Sequence, residues 1–360
     1  MTAHDLHADW APGPRALLTE LIDARGASAP GYDPAAPPYA VFDCDNTTVF
    51  RDVQDVVLTE QLTRLDFGLP ARALGEVLRE GLHARPTLDL LDDVVESLGA
   101  LEAGVSDPRA REDHHLAARV KLRALYHTLN DHHGDGFACS WVTRLYAGMT
   151  PARVHELARA AYAAELDRPV SHATETSPGS LPGRAGVVDV TWPQGLRPVV
   201  PVRELFATLT RAGFEVWICS ASFEHIVRAA VAGGPLGYPV RASHVMGMRL
   251  DLDEDGAFTP RKPEGAIDTH GEGKVANVAG MLEARLGYPP ALVAGDSNGD
   301  APMLAHYHDA LRLIFNRHLD GPIAELAARA ATPGARVALQ GRDERRGVLL
   351  PTGASVLTAP

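Results

Sequence analysis

Two carboxylates spaced i and i+2, Asp43 and Asp45, end the apolar run Tyr39-Ala40-Val41-Phe42, and the hydroxyls of Thr47 and Thr48 follow at once. An extended chain alternates its side chains with period two, so both carboxylates leave the strand end on the same side. Like charges held that close repel, and a fold tolerates them where a cation or a shared proton compensates. Alone, the segment also reads as a strand end closed by an Asp-rich turn. Three further segments decide against that reading. The run Val216-Trp217-Ile218-Cys219 ends in Ser220 and Ser222, Gly271-Glu272-Gly273-Lys274 opens a helix, and Ala291-Leu292-Val293-Ala294-Gly295 ends in Asp296, Ser297, Asn298 and Asp300.

These residue types suit phosphoryl transfer. A hard divalent cation such as Mg2+ takes oxygen ligands from one or two carboxylates, with water and phosphate oxygens completing its shell. Ser220, ahead of a helix N-terminus, can donate to phosphate oxygens, and Lys274 supplies a positive point charge. One of the first two aspartates can attack phosphorus to form an acyl phosphate. The other can protonate the leaving oxygen and later activate water.

Such groups need strands to deliver them. The pattern predicts strands Tyr39–Asp43, Glu215–Cys219, Val240–Met246, Ala291–Gly295 and Leu311–Phe315, alternating with helices Val202–Ala212, Phe223–Ala232, Val275–Leu286 and Ala301–His306. Short apolar strands with helices between them imply an α/β fold, a doubly wound, Rossmann-like parallel sheet. Ligands of such sheets bind outside the carboxyl ends of the strands, where all four segments lead. An acidic hairpin is expected across Met248–Thr259, turning at Asp253-Glu254-Asp255-Gly256. Between the first strand and Val202, apolar spacing predicts helices Val53–Leu65, Ala71–Gly81, Leu88–Leu98, His114–Leu129 and Pro151–Leu166. A looser stretch rich in Pro, Gly, Ser and Thr follows from Pro169 to Pro201. The expected organisation has four parts. Residues 1–38 form an N-terminal helix and linker like an appendage, 39–51 and 202–340 the catalytic core, 52–201 a large helical cap inserted after the first strand, and 341–360 a C-terminal tail.

Composition narrows the partners. A chain of 360 residues has room for two domains, and its net charge of −12 argues against broad contact with nucleic acid or an anionic membrane. A small molecule remains as the partner. Cys44, Cys139 and Cys219 are too few and scattered for a disulfide framework or a zinc site. Met1–Trp10 lacks the basic and apolar pattern of a secretory signal, and no apolar run reaches membrane-spanning length, so a cytoplasmic protein is expected.

The four segments, in this order, resemble the motifs of the haloacid dehalogenase-like superfamily: Asp43–Thr47 for DxDxT, Ser220 for the strand-terminal hydroxyl, Lys274 for the lysine, and Gly295–Asp300 for GDxxxD. The resemblance implies that Asp43 is the phosphorylated nucleophile and a metal ligand. Asp45 would be the general acid and base, its backbone carbonyl also binding Mg2+, and Asp296 a further ligand. Thr47, Ser220 and Lys274 would hold phosphate, and Asp300 would hold water behind the metal or orient Lys274. Residue by residue, Asp300 also reads as a helix N-cap before Ala301-Pro302, and Ser222 as an N-cap before Phe223-Glu224. The insertion is similar to the cap of the phosphoserine-phosphatase-like branch, and the stretches around Phe42–Thr47, Val216–Ser222 and Val245–Leu250 to the phosphorylcholine-phosphatase group.

A lid over the phosphate contacts the leaving group, so substrate identity should lie in the insertion. Asp52 lies nine residues after Asp43, where the phosphoserine group often carries an acidic residue near the substrate ammonium; it reads equally as a surface charge beside Arg51. Trp141, Tyr146, Tyr126 and Tyr162 read as core rather than as a cage for a quaternary ammonium. His114-His115 and His132-His133 read as surface or loop histidines. Cys44 and Cys219 flank the site as small apolar residues, with redox control as the sharper alternative. The expected activity is hydrolysis of a small soluble phosphate ester. A phosphotransferase or mutase, and a non-enzymatic phospho-acceptor module, are the alternatives; retention of an acid/base at Asp45 favours turnover.

Overall fold

The computed structural model describes residues 6–357; residues 1–5 and 358–360, the ends of the expected appendage and tail, lie outside the described residues. Its frame is one sheet built from β1 (Tyr39–Phe42), β2 (Glu215–Phe223), β3 (Val245–Met248), β4 (Leu292–Gly295), β5 (Leu311–Phe315) and β6 (Val337–Gln340). The spatial order is β6-β5-β4-β1-β2-β3, and every neighbouring pair is parallel. All residues of β1, β3, β4 and β5 are buried, which is why these runs are nearly continuous in apolar residues instead of alternating. Period two still sorts them between the two faces. Ala40 and Phe42 join the layer of Leu205, Phe206 and Ile218, whereas Tyr39 and Val41 join that of Trp217, Val278, Val293 and Ile314.

Register sets the rim. Phe42 lies level with Ile218 of β2 and with Ala294 of β4. Asp43, Ser220 and Asp296 therefore emerge within about one residue of the same height. The acidic hairpin also forms: Leu252 bridges Phe258, and Asp253 Oδ1 accepts from the amides of Asp255 (3.0 Å) and Ala257 (2.9 Å). β3 begins later than expected because Ala242–His244 make a short 3-10 turn. β2 runs on to Phe223 with a register shift between Cys219 and Phe223. β6 has no counterpart in the predicted strands.

Helices α1 (Pro12–Arg25), α2 (Val53–Arg64), α3 (Ala71–Arg79), α4 (Arg85–Glu102), α5 (Pro108–His133), α6 (Asp135–Val142), α7 (Pro151–Leu166), α8 (Val200–Arg211) and α9 (Glu224–Val231) account for most of the first two thirds of the chain. The side chains of Asp52 and Thr150 accept from the amides of Asp55 and Arg153 and so start α2 and α7. α2 and α7 bury Val53, Val56, Leu157 and Ala158 in the sheet's own cluster. α3 to α6 surround a separate one with Leu74, Leu91, Leu125 and Trp141. α6 and an antiparallel hairpin, Ser171–Thr176 against Asp189–Gln194, lie where the pattern suggested only irregular chain. Val190 and Trp192 of that hairpin close the second cluster.

Both ends of the described chain return to β6. Gln340 Oε1 accepts from the amide of Ala11 at 2.8 Å, while its Nε2 donates to the carbonyl of Leu350 at 2.6 Å. Leu18, Leu21 and Ile22 of α1 enter the main cluster, and Arg342–Asp343 pairs with Val348–Leu349. The segments expected as an appendage and a tail are thus packed onto the core.

Candidate active site

Lys274, on the first turn of the helix Glu272–Val278, is the hub of the rim. Its Nζ donates to Asp43 Oδ1 and to Asp300 Oδ1, each at 2.6 Å, with all three side chains buried. The other oxygen of Asp300 turns back into its own loop, accepting from the amides of Asp296 and Ser297 at 3.1 Å and from Ser297 Oγ at 3.0 Å. Gly295 makes room for that turn, since a Cβ there would lie 2.4 Å from Asp300 Cβ. Asp300 makes no side-chain cap to the helix Ala301–His306, so its N-cap reading falls and its role is to hold Lys274 and the loop.

Asp45 points to the other side of Asp43. Its Oδ1 accepts from the amide of Val53 at 2.7 Å, and its Oδ2 from Ser222 Oγ at 2.7 Å and Ser220 Oγ at 3.1 Å. Ser222 therefore serves Asp45; α9 is capped by Phe223 without a side-chain bond. Two residues expected on phosphate are placed differently. The fully buried Thr47 hydroxyl donates to Asp296 Oδ1 at 2.9 Å, and Ser220 is spent on Asp45 while also accepting the Ser222 amide at 3.1 Å. Neither lines the cavity, because the backbone around each one turns its hydroxyl toward a neighbouring carboxylate.

The second oxygen of Asp296 accepts from Arg317 Nη1 at 3.0 Å. The sequence reading overlooked Arg317. Its signal was present: Asn316-Arg317 follows β5 just as the chosen residues follow β1, β2 and β4.

Burial dominates the electrostatics. It pushes Asp43 well above the usual carboxylate range; Asp300, Asp296 and Asp45 add to the rise, and Lys274 opposes it. Asp45 is raised by burial, against the pull of the Val53 amide and the two serines. Asp296 is raised by burial against Arg317. Burial alone would lower Lys274, but Asp300 and Asp43 outweigh it and keep the ammonium charged. Cys44 and Cys219 are buried at the strand ends, and burial lifts both thiols, that of Cys219 to about 12, so neither offers the thiolate that redox control needs.

A cavity of about 440 Å³ opens over Asp43, Asp45, Lys274 and Asp296. Its far wall comes from the helices between β1 and β2. Asp52 and Asp55 belong to the start of α2, and Tyr126, His127, Asn130 and Asp131 lie near the end of α5, with Asp135 and Cys139 on α6. Asp52 thus both caps α2 and lines the cavity, its carboxyl raised by burial and by Asp45 and Asp55. The α5 residues sit at helical spacing on one face, a pattern that could have been read from the sequence. Trp141, Tyr146 and Tyr162 are core, as expected; Trp141 donates to the Leu78 carbonyl and Tyr162 to that of Ile226. Only Tyr126 of the four aromatic residues faces the cavity. His132 and His133 are exposed.

A family model for haloacid dehalogenase-like hydrolases matches residues 40–305, well over half of the chain. The chain belongs to that family. Its Rossmann-like sheet has the same character as the haloacid dehalogenase-like fold. A conserved functionally unknown protein from Anaerococcus prevotii is similar along the whole length, at 24% identity and a TM-score of 0.88 over 99% of each chain. A phosphoserine phosphohydrolase-like protein from Francisella tularensis is 12% identical, with a TM-score of 0.37 over 80% of this chain and 92% of that one. A substrate-bound phosphoserine phosphatase complex is 13% identical, with a TM-score of 0.34 over 77% of this chain and 85% of that one. No curated protein matches the sequence. Among the described residues of this haloacid dehalogenase-like hydrolase, no helix is long and apolar enough to cross a membrane.

Proposed function

We propose that the protein is a Mg2+-dependent phosphomonoesterase that hydrolyses a small soluble phosphate ester through an aspartyl-phosphate on Asp43. The main support is the hub at Lys274, which bonds both Asp43 and Asp300 although 231 residues separate it from the first. The donor set fits the cation. Asp43, Asp296 and Asp300 are buried and each brings a carboxylate oxygen within 4.8 Å of the others, an excess of negative charge that a hard cation relieves. Asp300 is turned to Lys274 and its own loop and does not line the cavity, whereas Asp43, Asp45 and Asp296 do, so the carboxylates of Asp43 and Asp296, with the backbone carbonyl of Asp45, would hold it. When bound, Mg2+ supplies positive charge against the phosphate oxygens.

The side chains then divide the work. Lys274 occupies Asp43 Oδ1, and among the described residues none hydrogen-bonds Oδ2, which is left to attack phosphorus. The Asp43 O–P bond forms as the ester P–O bond breaks, and Asp45 passes its proton to the leaving alcohol oxygen. The raised Asp45 favours the protonated state this step needs. Water then attacks the acyl phosphate, Asp45 takes its proton, and inorganic phosphate leaves with Asp43 restored. The acidic wall of Asp52, Asp55, Asp131 and Asp135 favours a leaving group with an amine. The reading is tested by phosphate release from phosphoserine, phosphoethanolamine, phosphocholine and sugar phosphates, with and without Mg2+ and with alcohol acceptors present. Mg2+-stimulated release is expected. Its absence across the panel overturns the reading, and transfer to an acceptor in place of release reassigns the enzyme as a phosphotransferase.

A further inference from the structure

The family match ends at residue 305, yet one arginine beyond it bonds Asp296 and another bonds the turn after Asp45. Arg317 holds Asp296. Arg342, just past β6, is 2% exposed and lies under the turn that joins Asp45 to Thr47. Its Nη1 donates to the carbonyl of Asn46, and its Nη2 to Asn46 Oδ1 at 3.2 Å. Its Nε faces Glu344 Oε1 at 2.6 Å, and its guanidinium covers the Phe50 ring at 4.5 Å. With φ at 58° Asn46 occupies the left-handed region, which Asn adopts more readily than other residues with a Cβ, and Arg51 has φ at 82°, where an arginine is strained. The two close a loop on each other: the Asn46 amide donates to the Arg51 carbonyl at 3.1 Å, and the Arg51 amide to Asn46 Oδ1 at 3.2 Å.

Arg342 is itself fixed. Its amide donates to Ser355 Oγ at 2.9 Å, its carbonyl accepts from Val356 at 2.9 Å, and Ser355 Oγ donates onward to the carbonyl of Asn316. Asn316 precedes Arg317, and its side chain donates to the carbonyl of Gly353 at 2.7 Å. One C-terminal strap therefore ties the turn beside Asp43 and Asp45 to the strand end that carries the partner of Asp296.

We propose that Arg342 is a positioning residue for the reaction: it fixes the Asp45–Asn46–Thr47 turn so that the Asp43 carboxylate and the Asp45 carbonyl stay aligned with Asp296. This rests on the phosphatase reading above. The test uses full-length Arg342→Ala and Arg342→Lys, measuring kcat and KM on the best ester, Tm, and Mg2+ affinity by calorimetry without substrate. Arg342→Ala should lower kcat roughly tenfold to a hundredfold with KM nearly unchanged, the scale of a small misplacement of reacting groups. It should also weaken Mg2+ binding several-fold, and millimolar guanidinium should restore part of both. Arg342→Lys should fall between, because an ammonium cannot reproduce the planar two-pronged grip. Should the alanine variant fail to fold, the lysine variant decides on the same readouts. Unchanged kcat and Mg2+ affinity in a folded variant, or a fall in Tm alone, overturns the proposal. If the wild type hydrolyses no ester, the phosphatase reading fails separately, and the Mg2+ titration still decides whether Arg342 shapes the site.

Discussion

Two buried ionic clusters in this molecule are built to opposite rules. In the insertion, Lys121 and Asp93 pair at 2.8 Å, each almost wholly buried. Asp93 also accepts from the amides of Arg184 (2.7 Å) and Ala185 (3.0 Å), and Lys121 donates to the carbonyls of Leu181 (3.1 Å) and Pro182 (2.8 Å). Burial pushes Asp93 up, but the lysine and the two amides outweigh it and hold the carboxyl below its usual range. Every charge there is met. At the rim, Asp43, Asp45, Asp296 and Asp300 face Lys274 and Arg317, and the carboxyls of Asp43, Asp45 and Asp296 are raised. Charges taken out of solvent thus form a latch in one place and an unmet demand for positive charge in the other. Unmet demand is what a cation and a phosphate ester can satisfy, which supports the site proposed at this rim.

The sharpest way to break this contrast is to remove one charge from each cluster. Asp43→Asn should reduce hydrolysis by on the order of a thousandfold or more, the scale of losing a nucleophile, without lowering Tm. Retained activity would remove Asp43 from the mechanism. Lys121→Met should cost about 3–5 kcal/mol of stability, because it strands a buried carboxylate, while the molecules that remain folded keep their activity. Denaturant unfolding beside an assay of the folded fraction checks this; a Tm equal to wild type would show that the latch carries no weight. Asp45→Asn should slow turnover about a hundredfold, the usual worth of a general acid and base.

Smaller effects sharpen the contrast. Mg2+ at about a hundred times its Kd should add about 2.7 kcal/mol of stability to the wild type, and almost none to Asp296→Asn. An equal Tm rise in both proteins would place the cation elsewhere. The last effect, spread over a range of pH, concerns the seam between α7 and α9. There His225 sits 3.4 Å from His155 Nε2, and burial, Arg228 and His155 lower its pKa to about 4. Free histidine titrates near 6.5, so between those values the unfolded chain binds more protons than the folded one. Stability should therefore fall as pH drops from about 6.5 toward 4. His225→Gln should flatten that slope in a series of melts, and an unchanged slope would acquit the residue.

The rim was legible because strand ends in a parallel sheet can be aligned from apolar runs alone, and Asp43, Ser220, Lys274 and Asp296 all follow such runs or open a helix beside them. What the hydroxyls do was not legible. Whether Thr47 or Ser220 faces phosphate or a neighbouring carboxylate depends on local backbone torsions that no spacing encodes. The hairpin Ser171–Thr176 with Asp189–Gln194 was hidden by its polar outer face, since only Val190 and Trp192 are buried. β6 is a short edge strand that pairs only with β5, and the segments that cover it come from both chain ends, contacts that leave no local signal. For the same reason Arg342 read as part of a tail.

Asn46 and Arg342 touch across 296 positions of sequence. Synthesis delivers the turn near Asp45 long before its anchor, so this clamp can close only after Arg342 has been made.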